Sequence, residues 1–288
     1  MLAQDLEPRT YAVGPLGMNV AFLAYSYTTG DLVFDPTVPI TNASAKINAA
    51  AIGYYRQLDF FGRASNVRII VPYAWGHLQG DVGEQFHAIY RSGLADVKAQ
   101  FSVNLYGGQA MGPREFAAYR PGTNLWASFS VLAPSGQYSP DKLINIGSNR
   151  WAFKPEFAVT QALGKWTGEF YAAAVFLTDN PSFYPGTVNR AQAPFGAYQA
   201  HVIYNFQRNL WASLDGTYYH GGHTTMDGVS KSDNQSASRL GAALSWQASR
   251  QHSFKIQYAK VGTIRVGGKF DAVSFGYAFA WLDRQRGS

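Results

Sequence analysis

The sequence contains no cysteine, and this absence removes several classes of site at once. Without thiols the chain has no disulfide framework, no thiolate metal site and no cysteine nucleophile. Charge is also scarce, because Asp, Glu, Lys and Arg make up 15% of the residues, whereas about a quarter is usual in soluble domains. Something other than charge must therefore keep the surface of this protein compatible with its surroundings.

Long apolar runs are missing as well. The longest, such as the run from Tyr171 to Leu177, falls far short of the roughly 20 residues that a membrane-spanning helix needs, which excludes helical insertion. Aromatic residues, in contrast, reach 15%, with 18 Tyr, 19 Phe and 7 Trp. A lipid-facing belt with an aromatic girdle at each interface accounts for both the low charge and the many rings.

Alternation of apolar and polar residues is the most informative pattern that is present. Between Leu94 and Leu105, apolar residues such as Phe101 share one parity and polar residues such as Lys98 share the other. Successive side chains of a strand point to opposite faces, so this segment has one apolar and one polar face. The pattern recurs in segments of about ten residues, which is typical of an antiparallel transmembrane β-barrel. The sequence thus predicts an all-β fold.

Twelve strands of this kind are predicted within a barrel that spans residues 18–281. They are 18–28, 45–58, 65–76, 93–105, 124–133, 151–162, 166–177, 195–205, 210–220, 237–246, 253–260 and 270–281. Residues 1–17 are expected to form an arm in the periplasm or the lumen, with Ala3 as the mature start of an exported protein. Residues 282–288 are interpreted as a C-terminal tail that includes a tag remnant.

The connections alternate in length along the chain. Long ones follow the odd strands, at 29–44, 77–92, 134–150, 178–194, 221–236 and 261–269, whereas those after even strands are short, apart from 106–123. Bacterial barrels have an even number of strands with short periplasmic turns and long extracellular loops. We therefore expect a protein of the bacterial outer membrane that contacts its lipids and lipopolysaccharide.

The polar strand faces are predicted to line the lumen, because a Lys or Arg that faces lipid at the midplane costs roughly 2–4 kcal/mol. The predicted pore-lining residues are Arg56, Arg68, Asp96, Lys98, Gln100, Asn104, Lys154, Glu156, Glu169, His201, Asp215, Arg239, Lys255 and Gln257. Six cations against four anions predict a mild preference for anions. The alternative is a neutralised ion-pair network that only props the barrel. Twelve strands predict a narrow pore.

Two prolines fall inside predicted strands. Pro72 and Pro155 each remove one donor from the β-ladder, so each is expected at a bulge that adjusts the curvature. A second interpretation is a weakened seam through which apolar solutes leave the barrel sideways.

No motif predicts catalysis, a metal or a cofactor. His220 and His223 flank two glycines without further ligands, and no histidine spacing matches a nucleophile turn. Lys and Arg are scattered over strands and turns, which argues against nucleic acid as a partner in spite of a pI near 9.4. We therefore expect no catalytic residue.

Short motifs along the chain resemble the proteobacterial outer-membrane channel family named for the meta-pathway of phenol degradation. The motifs are Pro8-Arg9-Thr10-Tyr11, Pro15-Leu16-Gly17-Met18-Asn19, Gly93-Leu94-Ala95-Asp96, Pro134-Ser135-Gly136-Gln137-Tyr138, Asn145-Ile146-Gly147-Ser148-Asn149-Arg150-Trp151, Lys154-Pro155-Glu156, Trp211-Ala212-Ser213-Leu214-Asp215 and Gly221-Gly222. The resemblance implies a monomeric outer-membrane channel, often linked to the use of aromatic compounds, without catalytic residues. In one departure, Ala95 stands where the family pattern Gly-x-Gly-Asp has its second glycine.

Three functional hypotheses follow. The first is a channel for passive diffusion of small solutes. The second is uptake of hydrophobic or aromatic compounds with lateral exit, in which the arm or the loops 29–44 and 178–194 fold inward, as the loop aromatics Phe34, Phe183 and Tyr184 suggest. The third is a soluble all-β binding module, although its strands should average five to six residues.

Overall fold

The structure, a computed structural model, describes residues 6–33, 40–83, 85–265 and 267–283. The strands within these residues are β1 (Met18–Val33), β2 (Ile40–Phe60), β3 (Arg63–Val82), β4 (Gln85–Leu94), β5 (Lys98–Tyr106), β6 (Thr123–Leu132), β7 (Ala152–Leu163), β8 (Trp166–Leu177), β9 (Asn180–Phe183), β10 (Val188–Gln192), β11 (Phe195–Gln207), β12 (Leu210–Gly221), β13 (Thr224–Met226), β14 (Val229–Ser230), β15 (Gln235–Gln247), β16 (His252–Ile264) and β17 (Gly267–Leu282). One short helix, α1 (Pro113–Ala118), is described. Phe34 and most of the predicted tail lie outside the described residues.

Twelve of the strands form a closed antiparallel barrel. Their order is β2-β1-β17-β16-β15-β12-β11-β8-β7-β6-β5-β3, and the pairing of β2 with β3 closes the circle. Closure satisfies the backbone hydrogen bonds of the first and last strands, as a bilayer requires. The prediction of an all-β, twelve-stranded barrel is confirmed.

The strands run further than the sequence predicted at the end of the barrel that carries the long loops, called the loop end below. β2 has 21 residues and β3 has 20. Most of the predicted loop 77–92 belongs to β3 and β4, and most of the predicted loop 261–269 belongs to β16 and β17. The loops 178–194 and 221–236 form a separate four-stranded sheet of β9, β10, β13 and β14. The opposite end, the turn end, has short connections except between β5 and β6, where α1 lies.

The outer face of the barrel is apolar. Exposed side chains of one parity form a belt on every barrel strand, with Leu23, Ile52, Phe157, Phe170, Val202, Leu214, Leu240, Ile256 and Phe275 as representatives. Aromatic rings border the belt, as with Trp166 and Tyr204 at the turn end, whose ring centroids are 4.7 Å apart. Phe101 and Phe275 face outward as predicted, and buried polar residues such as Gln100 and Asn104 face inward. In the described part of the chain, none of the helical segments has the length and hydropathy of a membrane span.

The two strand prolines differ in their surroundings. Around Pro72, Ile70 pairs with Lys98 and Tyr73 pairs with Leu94. Two residues of β3 therefore lie opposite three residues of the partner segment, which carries one extra residue. This bulge, at residues 95–97, was predicted from Pro72. At Pro155 the prediction of a bulge is wrong, because the pairing of β7 with β8 skips this residue and then resumes in the same register. β4 lies outside the closed barrel, and β3 is its one strand partner among the described residues.

Candidate transport pathway

The arm, residues 6–17, folds into the barrel from the turn end. Leu16 N–H donates to the Met111 carbonyl at 2.8 Å, which fixes the arm where it enters the barrel. Deeper inside, Tyr11 is only 2% exposed, with its ring centroid 4.9 Å from that of Tyr171 and 6.1 Å from that of Trp126. Aromatic packing of this kind, inside a wall that is otherwise polar, anchors the arm in the lumen.

Glu7 lies among the cations of the lumen. Its carboxylate accepts a hydrogen bond from Arg68 Nη1 at 2.7 Å, and Lys98, Lys154 and Lys255 surround it closely enough to act on its charge. These four cations are on four different strands, so the charge of one arm residue interacts with several parts of the barrel wall. All four were predicted to line the lumen. The arm provides Glu7 as the carboxylate that lies near all of them.

The arm divides the interior into two cavities. The upper cavity, of about 450 Å³, reaches from Glu7 to the loop end and is lined by Lys98, Lys154 and a folded-in loop around Ile146. The lower cavity, of about 420 Å³, lies between the arm and the turn end, with Val20 and Ser253 in its wall. Glu7 and Ile70 line both cavities. Glu7 therefore lies where a path along the barrel axis passes from one cavity to the other.

Four further predicted residues hold the arm in place. Gln100 Nε2 donates to the Tyr11 hydroxyl at 3.2 Å, and that hydroxyl donates to Glu156, which also forms an ion pair with Lys154 at 2.7 Å. Glu169 accepts the Arg9 backbone N–H at 2.9 Å, and Gln257 Nε2 donates to the Leu6 carbonyl at 2.6 Å. These residues face the lumen, and they bind the arm directly.

Four predicted residues lie on the inner wall without such a contact to the described part of the arm. His201 Nδ1 lies 2.7 Å from Asp215 Oδ1, and both side chains are fully buried. Asn104 Nδ2 donates to Asn124 Oδ1 at 3.1 Å near the turn end. Arg239 is 6% exposed and lies beside Tyr219. The hydrogen bond between His201 and Asp215 fits the alternative of a side-chain network that stabilises the wall.

Asp96 lines the upper cavity, and both of its oxygens are used to hold a loop. Oδ1 accepts the Gly136 N–H at 3.0 Å, whereas Oδ2 accepts the Ser148 N–H at 2.9 Å and the Ser148 hydroxyl. Gly136 and Gly147 cross so closely that a Cβ on Gly147 would lie 2.6 Å from the Gly136 carbonyl carbon. Asp96 therefore fastens the segment 134–150 over the cavity.

Arg56 is not in the lumen, and its prediction as a pore-lining residue is wrong. It shares the outward parity of β2 with Ile52, which is 59% exposed. Its guanidinium binds Asp283 at 2.7 Å and Asn19 at 2.9 Å at the turn end of the outer surface. A long cationic side chain is tolerated there because its head reaches the aqueous interface.

The sequence pattern did not single out the residues of the arm or of the loop end. Glu7 and Tyr11 lie in a segment without alternation, although Tyr11 belongs to a motif of the family resemblance. Arg150 and Arg190, which line the top of the upper cavity, fall in predicted loops. Among the residues that the structure describes, no group of three or more His, Asp or Glu is arranged to hold a metal ion.

Comparisons with known proteins agree with this architecture. The family described as the MetA-pathway of phenol degradation matches residues 27–279. An outer-membrane channel from Pseudomonas putida F1 superimposes with a TM-score of 0.80 at 17% identity, covering 96% of this chain and 100% of that one. The transport unit of the autotransporter AIDA-I from Escherichia coli gives 0.54 at 12% identity, covering 96% and 93%. No relative was found among curated protein sequences. The fold is that of bacterial outer-membrane β-barrels, so the hypothesis of a soluble binding module is wrong.

Proposed function

This chain belongs to the MetA-pathway family of phenol degradation, and from that premise we propose that it is a narrow outer-membrane channel for small solutes. The observation that supports this proposal is the pair of cavities that meet at Glu7, since together they form a charged path along the axis of a closed barrel. The similarity of the fold to an outer-membrane channel also favours transport over catalysis. We infer that the chain works as a monomer in contact with lipid and lipopolysaccharide, which is compatible with a barrel closed by the strands of one chain.

The lumen favours anions. With Arg56 outside, the predicted wall cations are Arg68, Lys98, Lys154, Arg239 and Lys255, and the predicted anions are Asp96, Glu156, Glu169 and Asp215. The arm adds Arg9 and Glu7, so six cations stand against five anions. Both oxygens of Asp96 are occupied by loop N–H and hydroxyl groups, and Asp215 is paired with His201. Positive charge close to Glu7 sets the preference for anions, because ion selectivity is decided by electrostatics at close range.

The test is the reversal potential of the purified protein in planar bilayers under a salt gradient. We expect a small current with preference for the anion, together with liposome swelling by small polar solutes. Clear cation selectivity would overturn the assignment of charge.

A substitution at Lys98 tests the same pathway. Lys98 lines the upper cavity and interacts with the charge of Glu7, so Lys98→Glu places a second carboxylate close to Glu7. We expect the reversal potential to move toward cation preference while assembly of the barrel is unchanged. Lys231→Glu, in the loop before β15, is the matched control and should leave the potential unaltered. An unshifted potential in Lys98→Glu would place this residue off the conduction path.

A second candidate function is supported by the break at Pro72. The β-ladder between β3 and β5 stops at Ile70, and the next strand pair starts at Tyr73 with β4, whose other edge has no strand partner among the described residues. Between them, the Ala95 N–H donates to the Pro72 carbonyl at 2.9 Å, so a single hydrogen bond spans the bulge. A solute in the upper cavity, which Pro72 lines, could leave for the bilayer through this interruption. Uptake of a labelled monoaromatic hydrocarbon into vesicles, without swelling by sugars or amino acids, would favour this function over aqueous diffusion.

A further inference from the structure

The top of the upper cavity holds two arginines that the transport pathway does not explain. Arg150 lies just before β7, and Arg190 lies on β10 of the extra sheet. Both line the upper cavity together with Phe183 and Tyr138. Two guanidiniums in one cavity repel each other and lose hydration, so an arrangement of this kind costs free energy unless an anion lies between them.

Neighbouring residues hold both guanidiniums in place. Arg150 Nη2 donates to Gln192 Oε1 at 2.7 Å, and Gln192 Nε2 in turn donates to the Gly222 carbonyl at 3.0 Å. The Arg190 guanidinium stacks over Phe183, with Cζ at 5.0 Å from the ring centroid. A site whose donors are fixed in advance loses little entropy when a ligand binds.

Each arginine also keeps a donor without a partner. Arg150 Nη1 and Arg190 Nε are buried, and neither forms a hydrogen bond within the part of the chain that the structure describes. Buried donors without acceptors are uncommon, because each one loses its hydration without compensation. These two nitrogens are enclosed by protein, so a ligand meets other atoms of the two arginines, both of which line the cavity. Two guanidiniums in one cavity match the chemistry of an oxyanion, which accepts hydrogen bonds from both at once.

Nearby carboxylates offset part of this positive charge, since Asp96 and Asp179 act on Arg150 and Asp233 acts on Arg190, but none of them accepts a hydrogen bond from Arg150 Nη1 or Arg190 Nε. Asp233 accepts the Thr224 N–H and hydroxyl, and Asp179 accepts from Asn189 Nδ2. Asp96 holds the loop, and Glu7 is bound to Arg68 on the far side of the cavity. Burial and the charge of Arg190 lower the pKa of the Arg150 guanidinium to about 10, and burial also lowers the pKa of Arg190. Both remain cationic at neutral pH.

The wall below the two arginines is apolar. Ile70, Leu132, Leu143 and Val175 line the cavity between the arginines and the lysines near Glu7. A volume of about 450 Å³ is within the range of small-molecule sites, which bind apolar bodies through such walls and fix them through a few polar groups. The cavity therefore combines an oxyanion site with space for a ring or a short chain.

We propose that the upper cavity binds a small amphipathic carboxylate, such as an aryl acid, between Arg150 and Arg190, with its apolar body against Ile70, Leu132 and Val175. The proposal rests on the transport function proposed above and names a solute class for it. Binding at this point would concentrate the solute on the loop-end side of Glu7.

Calorimetric titration of the detergent-solubilised protein tests the proposal with three probes. Benzoate carries the ring and the carboxylate, benzyl alcohol has the same size without the charge, and inorganic phosphate has the charge without the ring. We expect benzoate to bind at least ~10-fold more tightly than either of the other probes, since it alone uses both parts of the site. Equal binding of benzyl alcohol or of phosphate would overturn the proposal.

Variants locate the site. Arg150→Gln and Arg190→Gln should each weaken benzoate binding by ~10-fold or more, whereas Arg190→Lys, which keeps the charge but loses the planar fork, should have an intermediate effect. Arg208→Gln, on an exposed turn, is the matched control. Unchanged benzoate affinity in both glutamine variants, with the barrel folded by circular dichroism, would overturn the assignment. Because binding is measured without conductance, a wild-type protein that binds benzoate but carries no current contradicts the channel proposal alone.

Discussion

At the scale of single residues, one carboxylate from outside the barrel strands organises the charges inside it. Glu7 binds Arg68 at 2.7 Å and lies close to Lys98, Lys154 and Lys255. An exposed ion pair contributes about 0–1 kcal/mol and breaking a buried one costs about 3–5 kcal/mol. The Glu7 side chain is 33% exposed to the cavities, so its loss falls between these limits, at roughly 2 kcal/mol.

Glu7→Gln is therefore expected to release the arm part of the time. A loss of roughly 2 kcal/mol shifts the balance between docked and released arm by roughly 30-fold. Single-channel recordings should show larger and more frequent open events, with stronger anion preference because the cations lose their counter-charge. Asp31→Asn, which changes an exposed aspartate on the outer face of β1, should behave as wild type. Identical conductance in Glu7→Gln and wild type would show that the docked arm does not limit the current.

At the scale of elements, the strands could be predicted from the sequence and the segments that fill or cover the barrel could not. Period-two alternation identified the strands that carry Phe101 and Phe275, because one face meets lipid and the other meets water or the arm. In β2 the stretch around Ala49 and Gly53 has little contrast between its faces, which is why Arg56 was assigned to the wrong side. The arm has no repeat, so its position follows only from tertiary contacts such as those of Tyr11.

The position of Ala95 shows a similar limit. Ala95 stands where the family pattern has a glycine, the residue that most readily adopts a positive φ. In the structure Ala95 does not adopt a positive φ, and its N–H donates to the Pro72 carbonyl at 2.9 Å. Alanine is therefore compatible with the bulge. The requirement for glycine falls instead on Gly136 and Gly147, whose backbones cross within the covering loop.

The segment 134–150 is held over the upper cavity by Asp96, and a substitution there tests this cover. Asp96→Asn loses charge-assisted hydrogen bonds to Gly136 and Ser148, each worth about 1.5–3 kcal/mol. We expect faster cleavage by trypsin after Lys142, an exposed residue of this loop, with the barrel itself resistant. Asp31→Asn, which changes an exposed aspartate of β1 away from the cleavage site, is the control. Equal cleavage rates in Asp96→Asn and wild type would contradict the role of Asp96.

At the scale of the whole molecule, the docked arm and the covering loop restrict the same axis at two heights. The loop lies over the upper cavity, and Glu7 lies at its floor. Resistances in series add, so the larger of the two sets the current. Neighbouring parts of the barrel wall hold both restrictions. Arg68 on β3 binds the arm, and Asp96 in the bulge just before β5 binds the loop.

The double variant Glu7→Gln with Asp96→Asn should consequently conduct more than the two single changes predict. Removing one of two series resistances leaves the other in place, whereas removing both raises the conductance by more than the sum of the single increases. Conductance per channel, measured for wild type, both single variants and the double variant in the same salt, tests this expectation. Strictly additive increases would indicate parallel routes, such as a lateral exit that bypasses Glu7.

The separation of the interior at Glu7 has a kinetic consequence. A solute cannot traverse the barrel in one unobstructed diffusive passage, because it must dwell in a chamber of about 450 Å³ before it crosses into one of about 420 Å³. The first chamber holds only a limited number of solute molecules at one time. Flux should thus level off as the external concentration rises, at a ceiling fixed by the rate of escape past the arm.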